Sequence, residues 1–142
     1  MKLIISTFLL TLGSILSINI HAQCDQKLSL TSSKTEYLNA SGDVRKTVDE
    51  LTGITISDTT ITIAPENDRT MTGRIRSVKC TWPVPFKVGQ TELKTEFEDQ
   101  GAMKNITIVI EGKNGKISFL ATFDDNPDKK IRVWADSFKA TK

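Results

Sequence analysis

The feature that most constrains this chain is a strict alternation of β-branched and polar residues around turns that can be placed independently of it. In Gly53 to Ile63, a two-residue turn at Asp58-Thr59 sets Ile56 opposite Ile61 and Ile54 opposite Ile63, so all four side chains fall on one face. From Ile106 to Phe123 the natural turn is Asn114-Gly115, the dipeptide best suited to the positive φ angles of a type I′ hairpin. It pairs Ile110 with Phe119, Ile108 with Ala121 and Ile106 with Phe123. A slip of one residue in either hairpin would turn the whole apolar set toward water. Turn chemistry and hydrophobic pattern therefore point to the same antiparallel register.

Other segments obey the same period. Thr91, Leu93, Thr95 and Phe97 alternate with Glu92, Lys94, Glu96 and Glu98, and Asp99-Gln100-Gly101 turns the chain into the strand that begins near Ile106. Leu28 and Leu30 mark a first strand; Ile131, Val133 and Ala135 mark a last one, after a turn over Asp124 to Lys130. Between Met71 and Trp82 the apolar phase changes from Met71 and Ile75 to Val78, Cys80 and Trp82, which predicts a bulge near Arg76-Ser77. Trp82-Pro83-Val84-Pro85-Phe86 is too rich in proline for a central strand and reads as a stiff loop or sheet edge. Asp43 to Leu51 has helical spacing at Val44, Val48 and Leu51. Arg45 and Lys46 would stand in the first turn of such a helix and Asp49 and Glu50 in its last, all opposing the helix dipole. A hairpin turning at Ala40-Ser41-Gly42 is the expectation.

The sum is an all-β fold: an antiparallel meander of eight to ten short strands forming a small barrel, with a β-sandwich as the alternative. One domain, residues 23–142, suffices for this length. Residues 1–22 read as a cleavable secretion signal, with Lys2 as its basic start, an apolar stretch from Leu3 to Ile20 and the small residue Ala22 before the cleavage point. No transmembrane span is expected after cleavage. The expected destination is the periplasm or the extracellular space. Lipoprotein anchoring at Cys24 is the lesser alternative, because Gln23 stands where the processing enzyme takes a small residue.

Cleavage bounds the chemistry. The single histidine, His21, leaves with the signal, and with it go Ser-His-Asp and Cys-His catalysis and histidine-based metal sites. Of 19 basic residues only Lys2 leaves, against 17 acidic ones, and the two signs are interspersed. That balance argues against nucleic acid as a partner. Cys24 and Cys80 are the two cysteines; in an oxidising compartment one intrachain disulfide is the economical reading. No metal site, cofactor or catalytic residue is expected. Asp124, Asn126 and Asp128 begin like a calcium loop, but Lys129 and Ala135 occupy the positions of its glycine and bidentate glutamate, so a polar turn is the better account. Glu92, Glu96, Glu98 and Asp99 could be read as hydrolase carboxylates; their alternation with Lys94 fits a solvated strand face. Asn39 and Asn105 each fit the short glycosylation pattern.

What remains is binding. Trp82, Phe86 and Trp134 are large apolar residues, Trp134 and Phe138 lie on the parity opposite to Ile131 and Val133, and Arg74, Arg76 and Arg132 could receive an anionic group. The competing account has the aromatic residues closing the end of a barrel and the arginines solvated. In its signal, size and strand-rich meander the chain resembles the small exported β-proteins of bacteria and, more loosely, lipocalin-type barrels, although it lacks a Gly-x-Trp near Leu28-Ser29-Leu30. That resemblance implies a non-enzymatic binding module holding a small apolar or amphipathic ligand, within a cavity lined by Ile106, Ile108, Ile110, Phe119 and Phe123. The alternative is an envelope or extracellular protein-interaction domain with a solid core, contacting its partner through the Trp82–Phe86 loop and the last strand. A carboxylate-based hydrolase is the distant third.

Overall fold

A computed structural model describes residues 23–141; the secretion signal expected over residues 1–22 lies outside the described residues. The chain forms nine strands: β1 (Leu28–Leu38), β2 (Val44–Ile56), β3 (Thr60–Pro65), β4 (Met71–Val84), β5 (Val88–Asp99), β6 (Ala102–Lys113), β7 (Lys116–Phe123), β8 (Asn126–Trp134) and β9 (Ser137–Ala140). The first eight run as an antiparallel meander, and β8 returns to pair with β1. The result is a closed barrel, the architecture of lipocalin-type proteins, with β9 added beside the start of β1. Closure gives Thr35 to Leu38 of β1 and Lys130 to Val133 of β8 a ladder partner that an open sheet would lack.

Both expected hairpins form in the expected register. Ile54 faces Ile63 and Ile56 faces Ile61; Ile106, Ile108 and Ile110 face Phe123, Ala121 and Phe119. Asn114 and Gly115 carry φ angles of 54° and 75°, as the type I′ turn requires. Thr91, Leu93, Thr95 and Phe97 all point inward and are buried. Residues 44–51 belong to β2, after a turn in which the Asn39 side chain accepts the Asp43 N–H at 2.9 Å, so the charge argument against a helix holds. The ladder between β4 and β5 shifts between Ile75 and Ser77, where the phase change predicted a bulge.

Two expectations need correction, and a third resolves between its alternatives. The turn before the last strand is only Asp124-Asp125, because β8 already starts at Asn126. Of the two readings of the proline-rich segment, the sheet edge is the one that forms: β4 carries Pro83 and ends at Val84. Proline is tolerated there because β3 pairs with β4 only from Met71 to Arg74, which leaves the later part of β4 as a sheet edge. The other correction concerns parity. Thr35 pairs with Val133, and Thr31 pairs with Ser137, so β8 and β9 follow β1 in one continuous register. They are interrupted at Ala135-Asp136, where Ala135 N–H donates to Ile117 and Asp136 N–H to Thr31. Opposite this break the β1–β2 register shifts, with Ser33 of β1 facing both Glu50 and Leu51 of β2, and Ser32 Oγ accepts the Lys34 N–H and donates to the Lys34 carbonyl. Both strands change inward parity together. Val133 points in before the break and Phe138 packs against the core after it, while Trp134 stays outside at 39% exposure.

The core is one cluster that includes Leu30, Ile54, Ile61, Trp82, Leu93 and Ile108, each exposed by 2% or less. Phe97 lies flat over Gly73: a Cβ built there would meet three ring atoms at 2.6 to 2.8 Å. Phe97 is itself buried. Gly73→Val is expected to cost about 1–3 kcal/mol by overpacking, read as a lowered urea midpoint; an unchanged midpoint would mean that the ring is free to move.

Candidate functional site

The residues singled out for binding separate into an inner group and an outer one. The inner group sits at the barrel mouth where the described chain begins and ends. Trp82 is 1% exposed, and its ring occupies a slot made by two glycines. A Cβ at Gly112 would lie 2.7 Å from the ring, and one at Gly89 2.6 Å from it. The indole N–H donates to Thr91 Oγ1 at 2.7 Å, which satisfies the polar end of an otherwise apolar side chain. Phe138 packs on Trp82 with ring centroids 5.7 Å apart and on Phe86 at 5.2 Å, edge to face.

Over this aromatic cluster lies the start of the described chain. A disulfide joins Cys24 to Cys80 with Cα atoms 6.0 Å apart, Cys24 packs against the core, and Gln23 is 1% exposed. Gln23 Oε1 accepts the Phe86 backbone N–H at 2.6 Å. At the other end of the chain, Thr141 N–H donates to the Lys27 carbonyl. Trp82, Phe86 and Phe138 therefore close the mouth, as in the competing account of these aromatics, and Trp82 offers no surface to a partner.

The outer group centres on Trp134. Arg132 and Trp134 are alternate residues of β8 and share its outward face. The Arg132 guanidinium stands 4.9 Å from the Trp134 ring centroid, and Lys116 Nζ from the next strand stands 5.8 Å away. Both distances allow cation–π attraction. Beside the ring is a hollow of about 260 Å³ lined by Gly115, Lys116, Ile117, Trp134 and Ala135.

The arginines meet different fates. Arg132 pairs with Glu36 at 2.6 Å across the β1–β8 seam, where the two residues are register partners. Arg76 Nη2 donates to both carboxylate oxygens of Glu96, at 2.7 and 2.8 Å, a charge-assisted contact. Among the described residues Arg74 has no ion pair; it lines an outer hollow of about 650 Å³ with Thr60, Thr72, Glu96, Glu98 and Met103. Two of the three arginines thus already hold an acidic partner.

The remaining features resolve into ordinary surface chemistry. Glu92 lies 3.8 Å from Lys94 and Asp99 pairs with Arg69. Asp124 accepts the Thr107 hydroxyl and Asp125 faces Lys104. Among the described residues no group of three His, Cys, Asp or Glu is placed to hold a metal ion. At the far mouth, burial raises the Tyr37 phenol above its ordinary pKa, and the charges of Glu50 and Asp68 add to the effect. Of the residues expected to line an internal cavity, Ile106, Ile108, Ile110 and Phe119 are buried in the core and Phe123 packs against it.

Sequence reasoning missed Gln23, Gly89 and Gly112. Gly89 and Gly112 are needed because Trp82 and the carbonyls of Thr81 and Lys87 approach them from elsewhere in the chain, and such approaches leave no mark in the surrounding sequence. Comparison with protein families, with curated proteins and with solved structures finds no match to this chain, so its function is argued from this geometry.

Proposed function

We propose that the chain is exported by way of residues 1–22 and, once cleaved behind Ala22, acts as a non-enzymatic protein-interaction domain. In this reading the barrel is a packed scaffold, and the contact is the outward platform of Trp134, Arg132 and Lys116. The observation that carries it is the placement of Trp134. It is a large aromatic side chain, 39% exposed, flanked by two cations and a hollow, in a protein whose other tryptophan is in the core. Tryptophan and arginine are the side chains that most often dominate binding energy at protein interfaces. Arg132 is already paired with Glu36, so Lys116 is the cation that favours a partner presenting an acidic group beside an apolar projection.

Export is supported by the signal pattern and by the disulfide, a bond that persists in oxidising compartments. The reading with a small apolar ligand inside the barrel finds less support, because the side chains that would line the cavity pack into the core.

Trp134→Ala is expected to weaken co-purification of the exported protein's partner by at least about tenfold, as for an interface anchor, while leaving the unfolding free energy from urea titration within about 0.5 kcal/mol of wild type, as for an exposed position. Arg132→Ala is the poorer probe, since it also breaks the seam pair with Glu36. Undiminished partner recovery with Trp134→Ala would rule out this platform.

A further inference from the structure

Gln23 has two properties that do not fit an ordinary surface residue. It is 1% exposed, and its amide is only half satisfied. Oε1 takes the Phe86 N–H, and that orientation is dictated by chemistry, because an N–H can face only an acceptor. Nε2 is then buried with no hydrogen-bond partner among the described residues, a costly arrangement for a group with two donors. Cleavage behind Ala22, on which this inference rests, would add a second cost. It would make Gln23 the first residue and place an ammonium group on a residue that is almost wholly buried.

One reaction removes both costs. We propose that the mature N-terminus is pyroglutamate, formed at Gln23 and docked under the Cys24–Cys80 bridge. The unprotonated α-amine attacks Cδ of its own side chain, a five-membered lactam forms, the Cδ–Nε2 bond breaks, and Nε2 leaves as ammonia. No oxidant, reductant or other reactant is consumed. The atom expelled is the one without a partner, and the atom kept, Oε1, becomes the lactam carbonyl oxygen that accepts the Phe86 N–H. The α-amine loses its charge. The disulfide at the next residue holds the neutral ring against the mouth formed by Phe86 and Phe138.

The test uses the full chain, expressed with its own leader and recovered from the exported fraction. Intact mass and N-terminal sequencing should show a protein that begins at residue 23, is blocked, and is lighter by one ammonia, about 17 Da, than the uncyclised chain. Pyroglutamyl aminopeptidase should release the residue from denatured, reduced protein and leave the folded, oxidised protein intact. A protein that begins at Gln23 with a persistent free amine would overturn the cyclisation and leave the export reading standing. A different first residue, or a lipid on Cys24, would overturn both. Rapid enzymatic removal from the folded protein would overturn the docking of the lactam.

Discussion

Trp82→Ala is expected to lose about 4 kcal/mol of folding stability, the scale measured when a fully buried large aromatic is truncated. The effect should sit toward the top of that range for two reasons. The slot is walled by backbone at Gly89 and Gly112 and cannot collapse by rotating a side chain into the space. Thr91 Oγ1 also loses its indole donor. Domains of this size have only about 5–15 kcal/mol to lose, so the variant should unfold at markedly lower urea and at lower temperature. Gly112→Ala offers an independent approach to the same contact. It leaves the tryptophan in place but drives a methyl group into the ring and toward the Lys87 carbonyl at 2.5 Å. If both variants unfold near the wild-type midpoint, Trp82 is not seated in the core as described.

Removing the disulfide, by Cys24→Ser with Cys80→Ser or by reduction, should cost about 4 kcal/mol on the chain-entropy account of a loop of 56 residues. The structure adds a local consequence. The later part of β4, from Ser77 to Val84, pairs with β5 on one side and with no strand on the other among the described residues. Such an edge is a template for association. It is guarded by Pro83, by exposed Lys79 and by the bridge from Cys80, which pins the start of the chain across it. Loss of the bridge should therefore raise amide exchange first in β4 and β9, ahead of the hairpins β5–β6 and β6–β7, and should promote association at high concentration. Uniform exchange across all strands would mean that the bridge stabilises the fold globally and guards no particular edge.

The hairpins were legible because their information is local. Ile54 to Ile63 and Ile106 to Phe123 each contain both partners of every pair and the turn between them. Period-two alternation and turn residues therefore over-determine the register. The helical spacing of Val44, Val48 and Leu51 was outweighed by charges set against a helix dipole. The bulge at Arg76-Ser77 could be read from a phase change within one strand. The phase change between Val133 and Phe138 could also be seen, but its meaning could not, because an outward residue and a residue beyond a bulge share the same parity. That choice depends on β1, about a hundred residues earlier, whose register with β2 shifts at Ser33 opposite the break.

The same distinction divides the candidate site. Trp82, Phe86, Trp134 and Phe138 form one undifferentiated aromatic set on the page of the sequence. In three dimensions three of them close a mouth and one faces solvent. No composition argument separates them, since the indole of Trp82 goes inward only where Gly89 and Gly112 from two other strands leave it space.

The sequence by itself determined the all-β class, the hairpin registers and the pairing of its two cysteines, because each rests on neighbouring residues or on there being a single choice. Only the tertiary structure decided that the meander closes β8 onto β1, that Phe138 turns in while Trp134 turns out, and that Gln23 is buried with half its amide unpartnered. Those outcomes come from pairings between chain segments far apart in sequence, where register is set by coordinated bulges and by space between strands, neither of which leaves a local pattern.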